Sequence, residues 1–488
     1  MSRIETYRWP RVGDFIDRES ELARLESWWA TSERMPVNLY GRRRVGKSWL
    51  FRRFAHGKPA ILLVAERLAE GAQLTRFAEQ LAPAFGGITP DLPDVAGLFR
   101  VLYRLARDQK VLVVIDEFPW LLGRSEGVIE QNLSAVQAVM EEERDQSQMK
   151  LVVCGSAIAQ MEALQSEKNP LHGRLVPLEL RALPYGKAAE FLGTKDPFDQ
   201  FTRYAIAGGM PRYLAALSGA TLEERIGDQV LQPDAPLWNE GRTIVGQELR
   251  EPAVYFSLIE QLASGEKEVG ELAAAIRKQS APVAKYLSHL EDLRLVRRDL
   301  PYGASSTGRR SHWVLADPFL RFWFRFVFPF QSDLEAGLSP EDLYRSEIAP
   351  ELSYHVSSMF EDACREHVRS NSGIQATRVD RWWGNALNSY RATGERTTEE
   401  IDVVGSVRKR ITVIGEAKWT AKPVGEKLLS DLKTYKIPAL KQGGLKLASN
   451  PLIVLFSRSG YTPGLSVRAR EEDNLELVDV TKMLSTHA

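Results

Sequence analysis

The amino-acid sequence predicts an α/β protein: a parallel sheet sheathed in helices, a helical segment leading into a three-helix and hairpin module, and a second, smaller α/β domain. Three observations carry that prediction. Between residues 15 and 185, short apolar runs alternate with helical patterns. Residues 41–48 read Gly-Arg-Arg-Arg-Val-Gly-Lys-Ser, where one such run meets a helix. Beyond residue 350 strand-like and helical patterns alternate again, and acids and a lysine fall on neighbouring strands.

The first runs are Val37–Tyr40, Ala60–Val64, Val111–Ile115 and Leu151–Cys154. They are apolar throughout rather than alternating, which predicts strands buried on both faces, as in a parallel sheet. Helices are expected at Ser48–Phe54, Gln73–Leu81, Val95–Ala106 and Gln131–Glu143. Together these form a domain over residues 12–185. Residues 186–249 read as a helical lid, punctuated by Gly208-Gly209-Met210-Pro211.

Residues 250–330 predict a winged helix-turn-helix. Leu258 and Leu262, Leu272 and Ile276, then Val283, Tyr286, Leu287, Leu290 and Leu293 mark three helices, the third drawn over Lys285–Arg298. Two strands flanking the turn Tyr302–Gly308 complete the order. The aromatic stretch Asp317–Phe326 reads as a buried helix, with a base-stacking platform as the alternative. A last domain, 345–488, is expected to have a helix at Val356–Val368 and strands at Thr377–Trp383, Glu400–Val404, Arg410–Ala417 and Leu452–Ser457.

Bulk properties bound the function. A chain of 488 residues exceeds one core, since domains run to about 150 residues. The 64 basic residues balance 64 acidic ones, so affinity for nucleic acid must come from a local patch. Arg297, Arg298, Arg309 and Arg310 around the wing are such a patch, although a purely structural lid is an equal reading of that module. Cys154 and Cys364 have no metal-binding spacing, and this usage fits a reducing cytoplasm. The most apolar segment, Phe319–Phe330, is short and broken by Arg321 and Arg325, so no membrane span is expected.

The octapeptide fits the phosphate-binding pattern GxxxxGK[ST], with a strand before it and a helix after it. Gly41, Arg42, Arg43, Arg44, Val45, Gly46, Lys47, Ser48 and Trp49 would wrap the phosphates with backbone amides and a helix N-terminus. Lys47 would reach the β- and γ-phosphates and Ser48 would hold Mg²⁺. The strand Val111–Ile115 ends in two acids: Asp116 would bind the metal through water, and Glu117 would orient or deprotonate the attacking water. Ser156, at another strand end, is placed to sense the γ-phosphate, or merely to cap a helix. Arg174 is an arginine-finger candidate or a solvated side chain.

Phe15–Glu19, the loop at 41–48, Asp116–Leu121, Cys154–Ser156, Pro170–Arg174 and Gly208–Leu214 together resemble the archaeal-type ATPases, an AAA+-related group near the signal-transducing ATPases with numerous domains. The resemblance covers about residues 12–330. It implies binding and hydrolysis of ATP, Phe15–Glu19 beside the adenine, Pro211 in a lid over the nucleotide, and Arg174 contacting the γ-phosphate, across a subunit interface if the chain forms homo-oligomers. Asp17 departs from the pattern, which usually has Gly there.

In the last domain Glu416 and Lys418, two apart on a strand, share a face, and Asp402 on the neighbouring strand can join them. Two carboxylates suit a hard divalent cation, and a lysine can position water for phosphodiester hydrolysis. Asp402, Glu416 and Lys418, with Glu361 on the preceding helix, resemble the PD-(D/E)xK nucleases, which implies a metal-dependent DNA-cutting domain. A fold of this kind without cutting activity, serving an ATP-dependent regulator that binds DNA or protein, is the alternative. Trp382 and Trp383 read as buried rather than DNA-facing.

Overall fold

The computed structural model describes residues 3–249, 252–305 and 311–485. The chain folds as two compact units, Met1–Ala182 and Leu183–Ala488.

The first unit holds a five-stranded parallel sheet. Helix α1 (Glu19–Ala30) precedes β1 (Val37–Tyr40), α2 (Lys47–Ala55) and β2 (Ala60–Val64). Then follow α3 (Glu70–Leu81), α4 (Val95–Leu105), β3 (Val111–Asp116), α5 (Phe118–Leu122), α6 (Glu126–Glu143), β4 (Met149–Gly155), α7 (Ile158–Ala163) and β5 (Val176–Glu179). The strand order is β2-β3-β4-β1-β5. Strands β3 and β4 are buried along their whole length, as continuous apolar runs require. One face packs on α3, α4 and α6 through Phe77, Leu98, Phe99, Leu102, Val136 and Met140. Asp94 caps α4 by accepting from the Gly97 N–H at 2.7 Å.

Two sequence expectations need correction here. Strand β2 is not fully buried: it pairs only with β3, at the sheet edge, and Val64 is 42 % exposed. Strand β5, the opposite edge, was not among the expected strands, and its Val-Pro-Leu-Glu carries a proline. An edge position removes that objection, since its missing N–H need not serve a second neighbour.

The second unit begins with helices, as far as Asp292. The helices Pro252–Ala263, Val269–Ala275 and Ser280–Asp292 lead into an antiparallel pair, β6 (Val296–Asp299) and β7 (His312–Leu315). The third helix therefore stops short of Arg298. Arg294 turns the chain at φ 58°, and Val296–Arg298 are extended. Part of the expected turn, with Arg309 and Arg310, lies outside the described residues. The helix Pro318–Phe326, capped by Asp317, buries every residue from Phe319 to Phe326 except Arg321 and Arg325. Phe319 stacks on Tyr213 at 4.2 Å and the Trp323 indole donates to the Trp238 carbonyl at 2.9 Å. The aromatics are core, not a stacking platform.

A mixed sheet of order β12-β11-β10-β9-β8 completes this unit. Its strands are β8 (Arg378–Asn385), β9 (Thr398–Val407), β10 (Arg410–Lys418), β11 (Leu447–Ser457) and β12 (Leu475–Asp479). Strand β12, unmarked in the sequence reading, is a short edge strand with a half-buried pattern. The helix Ala349–Ser370 covers one face through Val356, Phe360, Cys364 and Val368, which pack with Val403, Val413 and Phe456.

Candidate functional site

Parallel register brings three strand ends into line. Tyr40 lies beside Gly155, and Val153 beside Ile115, so the loop after β1, Asp116-Glu117 after β3 and Ser156 after β4 emerge at the same sheet edge. That is the crevice in which open α/β sheets bind ligands. Gly46 caps α2 in the left-handed region at φ 101°. A Cβ on Gly41 would stand 2.2 Å from the Leu180 carbonyl oxygen, so only glycine lets the loop pass.

Lys47, 7 % exposed, donates through Nζ to the carbonyls of Gly41 at 2.7 Å and Arg42 at 3.0 Å. Burial holds its pKa below the ordinary value, against the attraction of nearby Glu117 and Asp116. The Ser48 hydroxyl donates to Asp116 Oδ2 at 3.1 Å. The other Asp116 oxygen accepts the Glu117 N–H at 3.0 Å. Glu117 stands in the left-handed region, φ 52°, where the chain turns sharply out of β3. Its carboxylate accepts from the Ser156 hydroxyl at 2.9 and 3.0 Å and from the Ser156 N–H at 3.3 Å. Lys47, Ser48, Asp116, Glu117 and Ser156, each proposed from sequence, thus form one assembled group. Cys154 beneath it is fully buried, and burial pushes its thiol well above the usual range.

Arg174, also in the first unit, is engaged outside this group. Arg174 pairs with Glu141 on α6 at 2.7 Å, and its other hydrogen bonds go to the Pro170 and His172 carbonyls. Pro211 opens the helix Pro211–Ala216 in the second unit. Arg18, within the Phe15–Glu19 segment expected beside the adenine, makes a contact that the sequence did not reveal. Its buried guanidinium donates to the carbonyls of Val45, inside the loop, at 3.1 Å and Arg181 at 2.7 Å. Neighbouring Asp17 stands at φ 61°, which accounts for the glycine that the resembled family has there. Trp49 meets Trp9 edge-on at 5.0 Å, with Arg11 over its ring at 4.6 Å. Phe15 packs on the far side of Trp9 at 6.3 Å.

The second cluster forms where β9 is bulged. Trp382 lies opposite Ile401 but Asp380 opposite Val404, so Asp402 and Val403 together face Arg381. Such a bulge re-aims side chains. Asp402 Oδ2 accepts the Ala417 N–H at 2.9 Å and lies 3.4 Å from Lys418 Nζ. Lys418 is also 3.3 Å from Glu416 Oε2. Burial pulls the Lys418 ammonium down, but Asp402 and Glu416 more than reverse this, and its pKa stands above the ordinary value. Glu416 is fully buried; its pKa is pushed up to about 7 by burial and by Asp402. Glu361 rises to about 8 for the same two reasons, so it lies within reach of Asp402's charge.

Lys436, which no spacing pattern marked, pairs with Glu416 Oε1 at 2.7 Å. Arg365 holds the Asp402 carbonyl at 2.8 Å and Asp362 at 2.6 Å. Among the described residues no group of three or more His, Cys, Asp or Glu is already arranged as a metal cage. The expected trio of Glu361, Asp402 and Glu416 is thus not a preformed cluster: lysines stand between its strand acids. Glu416 Oε2, buried, makes no well-formed hydrogen bond and is met by the Lys418 ammonium at 3.3 Å.

Of the wing arginines, Arg297 needs correction. Arg297 pairs with Asp299 at 2.9 Å and Asp362 at 2.8 Å, and this pairing, not phosphate, takes up its charge. Trp382 is buried as expected, while Trp383 stacks on His312 at 5.2 Å.

The first unit's sheet and loop define an ATPase-like domain of the phosphate-loop class. Residues 15–217 match the model of an ATPase domain predominantly from Archaea, and residues 323–432 match that of a family of archaeal and bacterial proteins of unknown function. The chain is 24 % identical over 413 residues to the uncharacterized protein MJECL04 of Methanocaldococcus jannaschii, an alignment covering 83 % of this chain and 87 % of that one. It is similar to the solved Walker-type ATPase PABY2304 of Pyrococcus abyssi, with 19 % identity, TM-score 0.47, and 66 % and 100 % of the two chains covered. It is likewise similar to the ORC2 protein of Aeropyrum pernix, solved as ADPNP–ADP complexes, with 16 % identity, TM-score 0.43, and coverage of 67 % and 98 %. No helix among the described residues is long and apolar enough to cross a membrane.

Proposed function

We propose that the protein binds and hydrolyses ATP and couples its nucleotide state to a DNA-binding, metal-dependent cutting centre at Asp402, Glu416 and Lys418. The observation that carries the second half is the bulged strand that sets buried Asp402 and Glu416 on one face around Lys418, with one Glu416 oxygen held by ion pairing alone.

At the nucleotide site, Lys47 would leave the Gly41 and Arg42 carbonyls for the β- and γ-phosphates. Ser48 and Asp116, already 3.1 Å apart, supply the hard oxygen donors that Mg²⁺ takes. Bound there, Mg²⁺ would neutralise charge on the phosphates. Glu117 would hold the attacking water, and Ser156 sets the orientation of its carboxylate. Arg174 can reach a γ-phosphate on a neighbouring subunit only by releasing Glu141, so a homo-oligomer would trade one pairing for the other.

In the second unit Asp402 and Glu416, with Glu361 joining from the helix, would hold a divalent cation that polarises a phosphodiester. Lys418 would position the water or the phosphate. Cation entry would displace the ammonium groups now sharing these carboxylates. The competing reading, a nucleotide-dependent regulator that binds DNA or protein without cutting, draws on Lys418 and Lys436 already neutralising the strand acids. Titration of Mg²⁺ or Mn²⁺ against plasmid and single-stranded DNA separates the two. Cutting that disappears in Lys418→Ala supports the nuclease; absence of cutting under every metal and nucleotide condition leaves the regulator.

A further inference from the structure

We propose that Arg18 is a positioning residue that links the shape of the phosphate loop to the backbone through which the chain leaves the first unit. This rests on the reading of residues 41–48 as a nucleotide site and adds a regulatory path to it.

Four contacts point the same way. One guanidinium nitrogen of Arg18 donates both to the Val45 carbonyl at 3.1 Å and to the Arg181 carbonyl at 2.7 Å. At the loop's other end, the Leu180 N–H donates to the Tyr40 carbonyl at 2.7 Å. The Leu180 carbonyl in turn lies so close to Gly41 that no side chain fits there. The Leu180–Arg181 backbone is thus tied to the entrance of the loop and, through Arg18, to its crown.

The tie is held under constraint. Arg18 is 8 % exposed, its backbone is left-handed at φ 74°, and Glu21 accepts from its remaining terminal nitrogen at 3.1 Å. A planar donor fixed on three sides moves as a unit with its acceptors. If phosphates re-aim the loop amides, the Val45 carbonyl must turn, and Arg18 passes that turn to Arg181. The second unit begins two residues later, at Leu183. A nucleotide-driven change at the loop is therefore delivered to the strand exit, without any new contact to the ligand.

Hydrogen exchange of the 178–182 backbone, with and without Mg²⁺ and the non-hydrolysable analogue AMP-PNP, tests this on the full chain. In the wild type, saturating analogue should slow exchange there by about tenfold. In Arg18→Met, which keeps the apolar stem, saturating analogue should bind but leave exchange unchanged. Equal slowing in the variant, or none in the wild type despite binding, overturns the proposal. Absence of analogue binding by the wild type, read by fluorescence anisotropy, instead overturns the nucleotide site itself. Should Arg18→Met fail to fold by circular dichroism, Arg18→Lys decides. Its head lacks the second terminal nitrogen that Glu21 holds and the planar fork, so it is no longer fixed from both sides; slowing must fall short of wild type, and full slowing contradicts the link.

Discussion

Arg297, on the β6 strand of the hairpin module, forks onto both carboxylate oxygens of Asp362 at 2.8 Å, one residue beyond Glu361 on the helix that borders the proposed metal centre. Asp362 in turn holds Arg365, which grips the Asp402 backbone. Burial alone would raise the Asp362 carboxyl, but Arg297 and Arg365 outweigh it and hold the group well below the usual carboxylate range. The hairpin and the carboxylate site are therefore one electrostatic construction. Arg297 and Asp362 are part-exposed, so solvent screening moderates that pair.

Arg297→Met should lower stability by about 1–2 kcal/mol, because it leaves Asp362 with one partner instead of two. Arg297→Met combined with Asp362→Asn should recover much of that loss. Urea unfolding of both variants checks this. DNA affinity, if present, should keep its salt dependence in Arg297→Met, since this arginine is committed to carboxylates rather than phosphate.

Gly41→Ala should abolish nucleotide binding while leaving the sheet folded, because its methyl would meet the Leu180 carbonyl at 2.2 Å. Lys47→Ala should bind nucleotide at least tenfold more weakly for a different reason, the loss of charge at the phosphates. Fluorescent ADP titration and far-UV circular dichroism measure both.

The carboxylate cluster should be pH-linked. Glu361 and Glu416 have folded pKa values raised to about 8 and about 7, above the unfolded value of 4.5. A carboxyl raised in this way stabilises the fold below pH 4.5 and loses that contribution as pH rises through 7 to 8. The melting temperature of the metal-free protein should therefore fall between pH 5 and pH 8, and less so in Glu416→Gln. Mn²⁺ should offset the fall at pH 8, and its binding at pH 7 should release protons, measurable by calorimetry in buffers of different ionisation enthalpy.

Glu117→Gln should bind ATP as the wild type does and hydrolyse it at least 100-fold more slowly. Ser156→Ala should cost less, about tenfold, since it orients Glu117 and does not itself handle the water. Phosphate-release kinetics separate the two.

How much of this was legible in the sequence follows from the kind of signal each feature leaves. The buried strands β1, β3 and β4 announced themselves because full burial demands unbroken apolar runs. Edge strands such as β5 and β12 need no such run, and Pro177 or Glu476 can sit in them. Lys47, Ser48, Asp116 and Glu117 were visible because phosphate chemistry imposes spacing on adjacent residues. Lys436 was not, nor were the true partners of Arg18 and Arg297, because each acts on a residue 20 or more positions away, through a contact that only the fold creates. Local pattern overreached at Lys285–Arg298, where helical periodicity ran on past the turn at Arg294.

The central claim, that a nucleotide switch governs a metal-dependent cutting centre, is met most directly by one assay of DNA cleavage with Mg²⁺ or Mn²⁺, in the presence and absence of ATP. The account predicts cleavage by the wild type that changes with nucleotide, vanishes in Lys418→Ala, and loses its nucleotide response in Lys47→Ala. Cleavage that persists undiminished in Lys418→Ala, or none from the wild type under any metal and nucleotide condition, would contradict it.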